Sequence, residues 1–394
     1  MLRLVLGWQA AEGVDWSRLF HAYGAATDTP AHLRALVGGD LAGQLAALDH
    51  LDSAVLHQGT VYSVTPAAVR VVAGLLHESA LRRAGHQGNL LLPAVLAFLG
   101  WAAESAAAAR AGSVEPPLDA AEMDSFYRRL IGGDGEAWKS PLVGALMHRA
   151  VIDLRQSAPE LIEAVVEFVD DQELAVRIDA AGALARVGVL SSAAPLAAGL
   201  VRRLHARLDA VEGREEKANL VLAMGRLGAD TSSWLNDSDP AVRAMAALSA
   251  RNGPRSTAIL IEALSRPRQA DGWFTGGLPL IEGHVRYALL HELLARDVPF
   301  ADVLPAALAI AEVATGYTAN SDWGPLLQAA FPDVTFVPGV RPQAPAMLDD
   351  AQRGFLQALV ANESLWNPTN GTAKLARMRV GLPDQRAAVA KLAH

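Results

Sequence analysis

The sequence predicts an all-α chain made of repeated helical pairs, and three observations carry that prediction. The first is a recurring turn and helix, clearest in Asp237-Ser238-Asp239-Pro240-Ala241-Val242-Arg243, where an acidic turn and a proline lead into a Val-Arg pair. A relative stands at Asp171-Gln172-Glu173-Leu174-Ala175-Val176-Arg177, and an echo at Gly283-His284-Val285-Arg286. The second is a repeated helix ending, Ala183-Leu184-Ala185-Arg186-Val187-Gly188 and Ala223-Met224-Gly225-Arg226-Leu227-Gly228, offset by forty residues. The third is composition: 51% hydrophobic, 19% charged and only 6% aromatic residues, with abundant alanine. Such a chain suits helices packed closely through small side chains. A repeated unit that cannot bury its apolar face alone stacks on its neighbours, which is the logic of an α-solenoid.

The 394 residues exceed the usual size of one core, and four regions separate. In 1–80, Thr65-Pro66 reads as an N-cap and first helical residue, with Val69, Val72, Leu75 and Leu76 on one face of the following helix. In 81–150, an apolar helix over 90–109 precedes two turn-rich breaks, 112–117 and 132–135. Region 151–330 holds the clearest repeats, with one truncated at Thr231 to Trp234. In both helix endings, the glycine is expected to permit a left-handed C-terminal turn. Region 331–394 opens with a proline-punctuated, extended segment over 331–339. Two amphipathic helices, 349–362 and 383–393, are joined through Trp366-Asn367-Pro368-Thr369-Asn370-Gly371 and read as a polar C-terminal helical cap.

The Val-Arg pairs, acidic turns and Ala-Leu helix endings resemble HEAT repeats, most fully over 165–300. The stretch His57-Gln58-Gly59-Thr60-Val61-Tyr62-Ser63-Val64-Thr65-Pro66 is similar to one found in a largely actinobacterial group of HEAT-repeat proteins. The same holds for Leu365-Trp366-Asn367-Pro368 and Arg377-Met378-Arg379-Val380-Gly381-Leu382-Pro383. The resemblance implies a curved α-α superhelix of about eight to ten helical pairs or partial pairs. It brings no enzymatic activity with it. It also implies that Arg177, Arg243 and Arg286, with Asp171 and Asp239, form an intrahelical or inter-repeat polar ladder.

The formal charge of −8 argues against a nucleic-acid-binding surface, because phosphate contacts require a basic surplus. The same balance favours a basic protein or peptide as partner. The absence of cysteine fits a cytoplasmic protein, and the brief apolar start, Met1 to Trp8, is too short for a membrane span. No GxSxG, GxxxxGK[ST] or HExxH motif is present, and no cofactor or metal site is expected.

Two enzymatic alternatives fit the sequence less well. A HEAT-like hydroxylase needs four matched His-Glu motifs, and the chain has only His77-Glu78 and His291-Glu292. A HEAT-like alkylpurine DNA glycosylase needs a basic concave face with tryptophan and a catalytic aspartate, and no stretch matches that motif. The sequence therefore favours a non-enzymatic binding scaffold. Its contact candidates lie where repeat lengths break: Arg266, Arg268, Trp273 and Phe274 in 266–279, Trp323 at the end of 317–323, and His57 and Tyr62 in 57–62.

Overall fold

A computed structural model describes residues 6–83, 90–109, 119–211, 213–250, 253–334, 336, 342–343 and 347–394. The described chain is helical almost throughout, interrupted by one two-stranded antiparallel ribbon that pairs Phe20 with Ala25 and His21 with Gly24. Residues Met1–Ala229 and Asp230–His394 form two compact units. The division falls inside the region read from sequence as one continuous run, 151–330.

In the first unit the long Leu91–Ala108 helix packs along Leu174–Val187, whose other side receives Arg214–Arg226. Small residues set the spacing. A Cβ at Gly100 would lie 3.1 Å from the Cα of Ala183, so the two helices touch nearly backbone to backbone. Leu91–Ala108 is long and apolar enough to cross a membrane, but over half of it is buried in this core. A second core gathers around Phe20, which meets Phe126, Trp138 and Tyr62 edge to face at 5.9, 5.5 and 6.3 Å.

In the second unit successive helices alternate between two layers. Pro240–Ser249, Val285–Leu294, Trp323–Ala330 and Gly371–Arg379 follow one another in one layer. Pro254–Leu264, Phe300–Val313, Asp350–Ala361 and Arg386–Leu392 follow one another in the other. The Gly371–Arg379 helix was not foreseen; sequence reading placed only a connection there. Asn370 starts it by accepting the amide of Ala373 at 3.0 Å.

Several local expectations need correction. Thr65 does not cap its helix: its hydroxyl donates to the Val55 carbonyl and accepts from the Tyr62 amide, and the residue is fully buried. Gly228 adopts the expected left-handed conformation, with φ 86°, but Gly188 does not. Gly188 is required for space instead, because a Cβ there would sit 2.3 Å from Leu227 and 2.9 Å from the Leu184 carbonyl oxygen. Phe331–Val334 forms no strand. The expected break at 112–117 and most of 335–339 lie outside the described residues.

Candidate functional site

The Val-Arg unit is a device that folds an arginine back onto its own turn. In the first copy, Asp171 Oδ1 accepts the Glu173 amide, and Arg177 Nη1 donates to the carbonyls of Asp171 and Gln172 at 2.9 Å each. In the second, Asp237 Oδ1 accepts the Asp239 amide, and Arg243 Nη1 donates to the carbonyls of Asp237 and Ser238 at 2.9 and 3.1 Å. Short 3-10 segments, Val166–Asp170 and Ser232–Asn236, precede both turns. The second is the truncated element expected at Thr231 to Trp234.

The copies differ at the other edge of the guanidinium. Nε and Nη2 of Arg177 clasp both oxygens of Glu216 at 2.7 and 2.8 Å, and Arg207 adds a third bond at 2.9 Å. Those arginines hold the Glu216 carboxyl below its ordinary range, against the burial that would raise it. Of the residues expected to form a polar ladder, Arg177 pairs with Glu216 and Asp171 with Arg82. Among the described residues no carboxylate pairs with the matching edge of Arg243. Arg243 instead lines a cleft of about 490 Å³ together with Ile259, Arg255, Asp237 and Glu262. The cleft continues as a smaller pocket of about 110 Å³, which shares Arg243 and Glu262 and adds Arg266, Gln269 and Trp273.

Two sequence candidates, Arg266 and Trp273, therefore meet at one site. The stretch that carries them is not a protruding loop: Pro267–Asp271 is a short helix, and Trp273 and Phe274 fold back, 8% and 7% exposed. Trp273 is a wall of the smaller pocket rather than a projecting anchor, and Phe274 lines neither pocket. The indole N–H of Trp273 is buried without an acceptor. Arg266 is exposed and loosely paired with Glu262 at 3.9 Å, and Arg268 is not among the residues lining either pocket.

The remaining candidates lie elsewhere. Trp323 is 1% exposed and donates its indole N–H to the Thr315 carbonyl at 2.9 Å, so it is a core residue. Tyr62 is half-buried against Phe20. His57 donates from Nδ1 to the Ser53 carbonyl at 2.9 Å and neighbours the exposed Tyr23. The third Val-Arg arginine, Arg286, is buried between Asp271 and Asp322.

Sequence reading missed a histidine cluster in the first unit. His21, Asp28 and His50 place their ligand-type atoms within 4.8 Å of one another, and His32 stacks on His50 at 4.1 Å. The hydrogen bonds speak against a ready metal site. The Tyr23 amide donates to His21 Nδ1 at 3.1 Å, so in the neutral ring the proton sits on Nε2, which faces Asp28 at 3.0 Å. A metal ligand would need that lone pair and would donate through its other nitrogen. Burial, assisted by His32, pushes His50 down to about 4. These residues are scattered over thirty positions, so no local spacing announced them.

A second, half-buried cluster joins Trp101, Glu104, Arg186 and Arg226. Arg186 lies 3.9 Å over the Trp101 ring, and Glu104 pairs with both arginines. On the same helix as Arg186, burial raises Asp179 to about 7. The two His-Glu dipeptides do not assemble into such a group. His77 pairs with Glu167 at 2.7 Å on the surface, and Glu292 pairs with Arg296 at 3.3 Å. No family model, no curated protein and no solved structure matches this chain.

Proposed function

We propose that the protein is a non-enzymatic helical-repeat scaffold that binds a segment of another protein. The segment lies in the cleft between the Pro240–Ser249 and Pro254–Leu264 helices. The observation that carries this reading is the cleft itself, bounded by Arg243, Arg266 and Trp273, where the repeat pattern leaves an oriented arginine unclaimed. The alternation of helices between two layers in the second unit, with the HEAT-like sequence pattern, supports a solenoid arrangement. The lack of cysteine supports a cytoplasmic setting.

The acidic balance of the whole chain favoured a basic partner, but the cleft favours the opposite sign. Arg243, Arg255 and Arg266 outnumber Asp237 and Glu262 there. Screening limits exposed charges to a reach of about 8–10 Å, so local charge governs what settles in the cleft. An acidic segment with an apolar neighbour for Ile259 fits it.

The enzymatic alternatives have less support. Asp179 carries the raised carboxyl that an acid-base role would use, but the Arg186 that acts on it is engaged by Glu104. The histidine cluster contains neither His-Glu dipeptide.

Selection of displayed linear peptides on the full chain, followed by hydrogen exchange of the complex, tests the scaffold reading. Peptides bearing Asp or Glu beside an apolar residue are expected, with slowed exchange over 240–273. Failure to select any peptide, or protection confined to the first unit, would overturn it.

A further inference from the structure

We infer that the Nε and Nη2 edge of Arg243 is a carboxylate seat, the open counterpart of the edge that Arg177 presents to Glu216. The inference rests on the scaffold reading only for what carries the carboxylate; the seat itself is argued from the chain alone.

The two arginines are oriented by the same backbone device, two carbonyl acceptors on Nη1 from the turn five and six residues earlier. With Nη1 fixed, the planar guanidinium has one remaining edge, and a planar fork of two parallel N–H groups matches a carboxylate. In the first unit that edge is filled by the third residue of the next helix in the layer, Glu216 of Arg214–Arg226. In the second unit the helix that follows in the layer is Val285–Leu294, and in the register of the Val-Arg pairs the counterpart of Glu216 is Val285. Valine offers no carboxylate, and Arg243 lines the cleft beside the Pro254–Leu264 helix instead.

A second observation points to a ligand. Trp273, more than nine-tenths buried, lines the same cleft and holds an indole N–H without an acceptor. A buried donor left unsatisfied costs about 1–3 kcal/mol. Trp273 shares its pocket with Arg243, so its indole reports on what is seated there. Glu262 does not block the seat, because Arg266 stands beside it. The ligand class is therefore an Asp or Glu side chain, or a chain-terminal carboxylate.

Acetate is the probe. In the full chain the Arg243 Nε–H and Trp273 indole resonances are assigned from Arg243→Lys and Trp273→Phe. Both signals are expected to shift saturably with sodium acetate and to stay still with sodium chloride at equal ionic strength. In Arg243→Lys, which keeps the charge but lacks the fork, the Trp273 shift is expected to vanish while the thermal midpoint changes little. No shift in the wild type overturns the seat. So does tighter binding of sulfate than of acetate, which would make it a general anion site. If acetate binds but no displayed peptide is selected, the seat stands and the protein-partner reading falls.

Discussion

The turn and helix around Arg177 and the turn and helix around Arg243 share their aspartate turn, their preceding 3-10 segment and both backbone acceptors on Nη1. They part at one position of the following helix in the layer, Glu216 in one case and Val285 in the other. The first arrangement closes into a pair of arginines around one carboxylate, whereas the second leaves its arginine on the wall of a cleft. A repeat thus supplies a pre-oriented binding group at no extra structural cost. In the first copy the edge is filled by a residue thirty-nine positions away.

The largest expected effect breaks the closed copy. Glu216→Ala strands Arg177 and Arg207, both largely buried, and urea unfolding should show about 3 kcal/mol lost. Comparable loss in a variant of the open copy would erase the distinction, and Arg243→Gln is the one to compare. It forfeits only the bonds to the turn and should cost about 1 kcal/mol, against about 2–3 kcal/mol for Arg177→Gln, which also strands Glu216.

Acid separates the two units in another way. His50 lies in the first, with His21, His32, Asp28 and Asp49 around it. Its folded pKa of about 4 lies below the ordinary 6.5, so the unfolded chain binds the proton first. Its contribution is complete above pH 6.5 and is lost as pH falls toward 4, by about 2 kcal/mol. His50→Asn should flatten that part of the stability profile measured by unfolding between pH 7 and 4. An unchanged profile would show that the ring is not held neutral by burial.

The smallest effect concerns the helix starts. Asp239 accepts the Ala241 amide at 2.8 Å, whereas Glu173 makes no cap bond. Asp239→Ala should therefore cost about 1 kcal/mol and Glu173→Ala close to nothing, by the same urea measurement.

Much of this fold was legible because its signals are local. Acid-Pro-Val-Arg starts a helix, and Ala-rich faces pack it, wherever they occur. The Gly371–Arg379 helix was missed because its start depends on Asn370 within a run that otherwise reads as turn residues. Gly188 misled because a glycine at a helix end has two uses, left-handed geometry and close approach, and only the neighbouring Leu227 shows which applies. Of the site, Arg266 and Trp273 were found through the unusual length of their segment, although they form a wall and not a projection. Arg243 was read as architecture, since its empty edge is visible only beside the filled edge of Arg177. The histidine cluster was invisible to spacing because it joins a strand, a turn and two helices.

The most direct measurement is the affinity of a selected acidic peptide for the full chain and for two matched variants, Arg243→Lys and Arg177→Lys. Loss of the fork at Arg243 should weaken binding about tenfold or more, the equivalent of about 1.4 kcal/mol, while the same change at Arg177 should leave affinity unchanged. Equal affinity for wild type and Arg243→Lys, or an equal loss in both variants, would contradict the assignment of the open arginine edge as the binding site.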